Sequence, residues 1–156
     1  MNKIPISHPE LLSLDTTIAE NQLKLLLAEG INILLAARIQ FEIDFVRDAT
    51  DPRELSEIPE VRLWFMRLDS KYPWLPLVID RQTGELARYV AMLVPHEFKT
   101  QTGIQYNSEA LEIWVMNKVF GGSDWLQQQG ISDRTPVKFM AKSLGYELDQ
   151  SLFDLL

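Results

Sequence analysis

The sequence predicts a single α+β domain: a small, mainly antiparallel sheet of about three strands with helices packed on one face. Three observations lead there. The 156 residues suffice for one domain and are too few for two. Apolar residues make up 46% and charged residues 24%, the balance of a chain with a packed core rather than a disordered one. One segment, around Ile39 to Phe45, alternates apolar and polar residues with a period of two, whereas Val61, Trp64, Phe65 and Leu68 recur at helical spacing.

Taken in order, the first ten residues lack the apolar core of a signal peptide, and the segment around His8 is expected to be mobile. Leu11 to Glu29 leans helical and ends at Gly30, a residue suited to the position after a helix. Ile39, Phe41, Ile43 and Phe45 alternate with Arg38, Gln40, Glu42 and Asp44, which predicts a strand with one buried and one wet face. Asp51-Pro52-Arg53-Glu54 predicts a helix start, with Asp51 as cap, Pro52 in the first helical position and Glu54 closing a capping box. Pro59 keeps Ile58 out of the α region, so a second helix starts there, its Val61-Trp64-Phe65-Leu68 stripe facing the core and Arg62 and Asp69 facing solvent.

Tyr72-Pro73-Trp74-Leu75-Pro76 cannot be regular helix and leads into a predicted strand, Leu77 to Asp80. Arg81-Gln82-Thr83-Gly84 then reads as a hairpin turn, with a return strand from about Leu86 to Val94 stopped by Pro95. Asn107 caps a largely buried helix over Ala110 to Phe120, with Trp114 in the core, and Gly121-Gly122 closes it. Thr135-Pro136 opens another helix that Gly145 ends, and Asp149 to Leu156 forms a short amphipathic turn or helix.

Composition excludes several classes of chemistry. Cysteine is absent, so disulfides, cysteine nucleophiles, thiolate zinc sites and self-ligated iron–sulfur clusters are excluded. His8 and His96 are the only imidazoles, too few for an all-histidine metal site. The formal net charge of −7 argues against a general nucleic-acid binder. No apolar run approaches the ~20 residues of a membrane helix, so a cytoplasmic protein, or its stromal equivalent in a chloroplast, is expected. There is no nucleophile-elbow, phosphate-loop or dinucleotide-binding glycine motif.

The densest charge lies between Glu42 and Glu60, where seven carboxylates face Arg47 and Arg53 for a local charge of −5. Asp48, Asp51, Arg53, Glu54 and Glu57 are therefore candidates for contact with a basic partner, the alternative being ordinary capping and a solvated face. The spacing does not match an EF-hand, and no metal site or cofactor is expected. Tyr72 and Trp74, on a backbone fixed by two prolines, are candidate interface anchors; equally, Trp74 can plug one end of the core. His96 follows a predicted strand end, where it suits either catalysis or a hydrogen bond to backbone. Together with Arg53 and Arg88 it defines an alternative, a small-ligand-binding or enzymatic pocket.

Several stretches resemble the chlororespiratory reduction six family. They include Phe41 to Phe45, Asp51 to Phe65, Tyr72 to Pro76, Gly84 to Tyr89, Met92 to His96, and Asn107 to Ile113 with Met116, Lys118 and Phe120. The likeness covers about residues 39–120, and none of it is a catalytic signature. What the resemblance implies is a soluble, non-enzymatic assembly factor for the type I NAD(P)H dehydrogenase complex of photosynthetic membranes. Its implied partner is the peripheral-arm subunit that carries two iron–sulfur clusters. It implies no catalytic residues.

Overall fold

The computed structural model describes residues 2–156. Its first strand, β1 (Asn2–Ile6), lies in the segment expected to be mobile, and what fixes it is burial. Ile4 and Ile6 are both almost wholly enclosed, while Lys3 and Pro5 point outward. Pro5 has no N–H to donate, and a proline is tolerated in an edge strand for that reason. β1 runs parallel to β2 (Ile39–Ile43), with Asn2 opposite Ile39 and Ile6 opposite Ile43. A parallel pair needs a long crossover. Three helices supply it: α1 (His8–Ser13), α2 (Thr17–Glu29) and α3 (Ile31–Leu35). The single predicted helix over Leu11 to Glu29 is thus two, broken where Leu14 takes a left-handed conformation with φ 55°.

On its other side β2 has almost no strand partner. Ile39 N–H donates to Val78 O at 2.9 Å and Asp80 N–H to Ile39 O at 3.0 Å, a single parallel bridge between Ile39 and Ile79. One residue pair further on, side chains take over the role of a strand. Phe41 N–H donates to Glu85 Oε1 at 3.0 Å, and the Arg88 guanidinium donates to Phe41 O. Glu85 and Arg88 are themselves paired at 2.7 Å.

The sheet therefore departs from expectation, while the α+β class stands. Among the described residues there are two two-stranded sheets, one parallel and one antiparallel, instead of one mainly antiparallel sheet of about three strands. Leu75–Leu77 is a 3-10 turn, and the expected return strand is a helix, α5 (Glu85–Leu93). Its buried Leu86, Tyr89 and Val90 stand at i, i+3 and i+4, and most of its residues are good helix formers. Gly84 is left-handed as expected, φ 79°, but it precedes a helix instead of joining two strands. The antiparallel pair, β3 (His96–Lys99) and β4 (Gly103–Tyr106), was not anticipated.

The core follows the predicted stripe. In α4 (Pro59–Lys71) Val61, Trp64, Phe65 and Leu68 are all buried. Phe41, Trp64, Phe65 and Tyr89 form an aromatic cluster with ring centroids 4.9–6.3 Å apart, mostly edge to face, the favoured geometry for such quadrupoles. Trp64 also satisfies its ring N–H on Asp15 O at 2.8 Å. Helix α6 (Ser108–Gln128) starts with Asn107 accepting from Ala110 N–H but continues through Gly121-Gly122 instead of ending there. At Gly122 the helix packs closely on Leu77; a β-carbon there would lie 3.2 Å from Leu77 Cδ1. Trp114 on this helix is only partly buried. Helices α7 (Thr135–Ser143) and α8 (Gln150–Asp154) stand as predicted.

Candidate functional site

The acidic segment is a loop that leaves the C-terminal end of β2. Its root is fixed by His8, whose Nδ1 accepts from Val46 N–H at 2.9 Å and whose ring lies 4.4 Å from that of Phe45. Beyond Val46 the predicted helix start is absent, and residues 51–54 are extended or bent before a 3-10 turn at Leu55–Glu57. The reason is that Asp51 spends its carboxylate locally. Its Oδ1 accepts from Arg53 N–H at 3.0 Å, and the Arg53 guanidinium closes on both oxygens, with Nη2 2.8 Å from Oδ2. Asp48 makes the same kind of turn, accepting from Thr50 N–H and Oγ1 at 2.8 and 2.6 Å. Such side-chain turns compete with helix and win at this site.

These bonds hold the carboxylates ionised. The Arg53 side chain lowers the Asp51 carboxyl to about 2, and the Thr50 hydroxyl holds Asp48 below its ordinary value. Residues 46–50 and 52–54 are exposed, and Arg47 braces the loop by donating to Arg53 O. Among the described residues, Asp44, Asp48, Glu54, Glu57 and Glu60 make no ion pair with a cation. At the foot of the loop lies an open concavity of about 470 Å³ lined by Ile6, Ile18, Ile43, Glu10, Glu42 and Asp44, among others. An apolar floor under an acidic rim can take an apolar side chain flanked by basic ones.

The Tyr72-to-Pro76 cluster packs against α2 and α6. Trp74 is 7% exposed and stacks on Trp125 with centroids 4.6 Å apart and planes 12° off parallel, so it closes the core and is no exposed anchor. Tyr72 is half-buried, its hydroxyl donating to Glu20 at 3.2 Å, and burial raises its pKa.

Arg53, Arg88 and His96 share no hydrogen bond or ion pair among the described residues. Arg53 is engaged with Asp51 and Arg88 with Glu85 and Phe41 O. His96 contacts Val94 O through Nδ1 and the buried Ser56 Oγ through Nε2, both at 2.9 Å. With Nδ1–H donating to the carbonyl, Nε2 accepts from the serine hydroxyl; the ring is a tie between β3 and the Leu55–Glu57 turn.

Sequence reasoning missed one polar cluster. Asp69, expected in solvent, accepts from Tyr89 OH at 2.6 Å and from Lys118 Nζ at 2.5 Å, joining α4, α5 and α6. Lys118 is 8% exposed and lies 5.4 Å from the Trp114 ring centroid. Burial, with Asp69 adding to it, raises the Tyr89 hydroxyl well above its ordinary pKa. The signal was a lone lysine inside an apolar helical run, since a buried ammonium requires a counter-charge.

Among the described residues no three His, Asp or Glu side chains converge to hold a metal ion, and no helix is long and apolar enough to cross a membrane. The model of the chlororespiratory reduction 6 family matches residues 6–155, well beyond the 39–120 stretch in which the likeness was legible. No solved structure matches the chain.

Proposed function

The chain belongs to the chlororespiratory reduction 6 family, and from that membership we propose that it is a non-enzymatic assembly factor of the type I NAD(P)H dehydrogenase complex. Its client is the subunit carrying two iron–sulfur clusters, held before insertion into the peripheral arm, in the cyanobacterial cytoplasm or the chloroplast stroma. A chain without cysteine cannot hold those clusters as thiolates; it can cover the client's cysteines while they wait for metal.

The observation that carries the reading at the level of residues is the acidic loop. Asp48, Asp51, Arg53, Glu54 and Glu57 stand on a locally braced lobe beside an apolar hollow, and most of the lobe's carboxylates have no cation of their own. A fixed field of this kind speeds encounter with a basic surface, and an interface of about 1,000–1,600 Å² suffices for a transient complex.

Purified client mixed with the full chain should co-elute on size-exclusion chromatography as a one-to-one complex. Independent elution over a range of salt concentrations would refute the reading.

A further inference from the structure

Positive charge gathers at the opposite end of β2 from the acidic loop. The strand spans about 16 Å and is entered from Arg38 and left into Asp44. Arg38 has φ 49°, a conformation uncommon for a residue with a side chain. It is held there because Asn2 bonds both flanking carbonyls, Nδ2 to Ala37 O at 2.6 Å and N–H to Arg38 O at 3.4 Å. Arg38 and Arg81 line one small polar hollow, and Arg81, Phe139 and Lys142 line the open depression beside it.

Three features set this corner apart. Phe139 is 49% exposed, and the Arg81 guanidinium lies 4.9 Å from its ring centroid. Among the described residues Arg38, Arg81 and Lys142 make no ion pair. The one acid lining the hollow, Asp80, gives both oxygens to neutral donors: Thr83 Oγ1 at 2.6 Å, Gln40 Nε2 at 3.0 Å and Gln82 N–H at 3.2 Å. Two guanidiniums share a hollow with no carboxylate bonded to either. Desolvation lowers the Arg81 pKa; Asp80 opposes that effect and Arg38 adds to it.

We propose that this corner docks an acidic segment of a protein partner, its carboxylates on Arg38, Arg81 and Lys142 and an apolar side chain against Phe139. The patch is opposite in sign to the chain's net charge of −7, so its charge selects the partner and not merely the molecule's average field. The depression is too open to enclose a small molecule, which ordinarily loses 70–90% of its surface on binding. An extended peptide covers such a surface, and cations beside a bare ring suit carboxylates flanking an apolar residue. The inference rests on the reading of the chain as a protein-binding assembly factor, and it gives that factor a second contact, complementary in charge to the first.

The test is fluorescence anisotropy of the full chain with a fluorescein-labelled peptide of glutamates around one phenylalanine, beside the same peptide with glutamines. The glutamate peptide should bind and the glutamine peptide should not. Arg81→Glu with Lys142→Glu should weaken binding by about tenfold or more. Phe139→Ala should weaken it while leaving the salt dependence in place. Thermal melts check that each variant folds; if the double reversal does not, Arg81→Gln with Lys142→Gln takes its place. Equal binding by the double variant, or no binding of the glutamate peptide at millimolar concentration, overturns the proposal. A client captured equally by wild type and double variant would leave the assembly reading intact and remove this contact. Peptide binding without any client capture would do the reverse.

Discussion

Glu85→Ala is expected to destabilise the fold by about 2–3 kcal/mol, through the loss of the side-chain clamp on β2. Phe41 is 2% exposed, and Glu85 Oε1 receives its N–H at 3.0 Å. Truncation leaves that amide buried and unpaired, which costs roughly 1–3 kcal/mol. The same oxygen receives Arg88 Nη2 at 2.7 Å; because the Arg88 side chain is 37% exposed, it finds water when released and this part stays below about 1 kcal/mol. A carboxylate in the first turn of α5 adds a few tenths through the helix dipole. Glu85→Gln separates these contributions: it keeps an acceptor for Phe41 N–H and loses the charge, so it should cost about 1 kcal/mol or less. Urea denaturation followed by circular dichroism measures both, and a cycle with Arg88→Ala should show a coupling of about 0.5–1 kcal/mol. A Glu85→Ala variant within about 0.5 kcal/mol of wild type, with an unchanged m-value, would refute the idea that β2 depends on the clamp.

Other outcomes follow from the same geometry. Asp69→Ala should cost about 3 kcal/mol, because it strands Lys118 and the Tyr89 hydroxyl, and adding Lys118→Met should recover part of the loss in thermal melts. Gly121→Ala should raise the melting temperature, since helical Gly121 has open space beside it and alanine is favoured by about 1 kcal/mol; Gly122→Ala should gain less or nothing against Leu77. The Asp80 carboxyl is lowered in the fold, first by Thr83, so its contribution is complete above its unfolded value near 3.8 and is lost as pH falls through the lowered one. Acid unfolding of Asp80→Asn should accordingly be less steep below pH 3.8 than that of wild type. Asp48→Lys with Asp51→Lys should slow association with the client most at low salt; rates unchanged across a salt series would remove the electrostatic steering.

The strand over Ile39–Ile43, the α4 stripe, the Asn107 cap and the last two helices were legible because each carries its own periodicity or cap. What the sequence hid were decisions made at a distance. Leu86, Tyr89 and Val90 had helical spacing, yet Gly84 after a polar run suggested a hairpin, and the need for Glu85 and Arg88 to reach Phe41 is visible only in three dimensions. Gly121-Gly122 looked like a terminus because nothing local announces that Leu77 packs against the helix there. β1 escaped notice since its two buried isoleucines are separated by a proline, and its partner lies more than thirty residues away. At the candidate site the charge of the loop was plain. The inward turn of Trp74 onto Trp125 was not, because a tryptophan between prolines serves core and interface equally well until its neighbours are known.

As an assembly factor, the chain should handle its client before the complex is complete. A tagged chain recovered from native extract, with soluble and membrane fractions analysed separately, tests it most directly. The two-cluster subunit, or other hydrophilic-arm subunits, should appear in the soluble eluate without the mature complex. Recovery of the intact membrane complex would make the chain a resident subunit, and a bait that returns alone from both fractions would mean that it holds no such client.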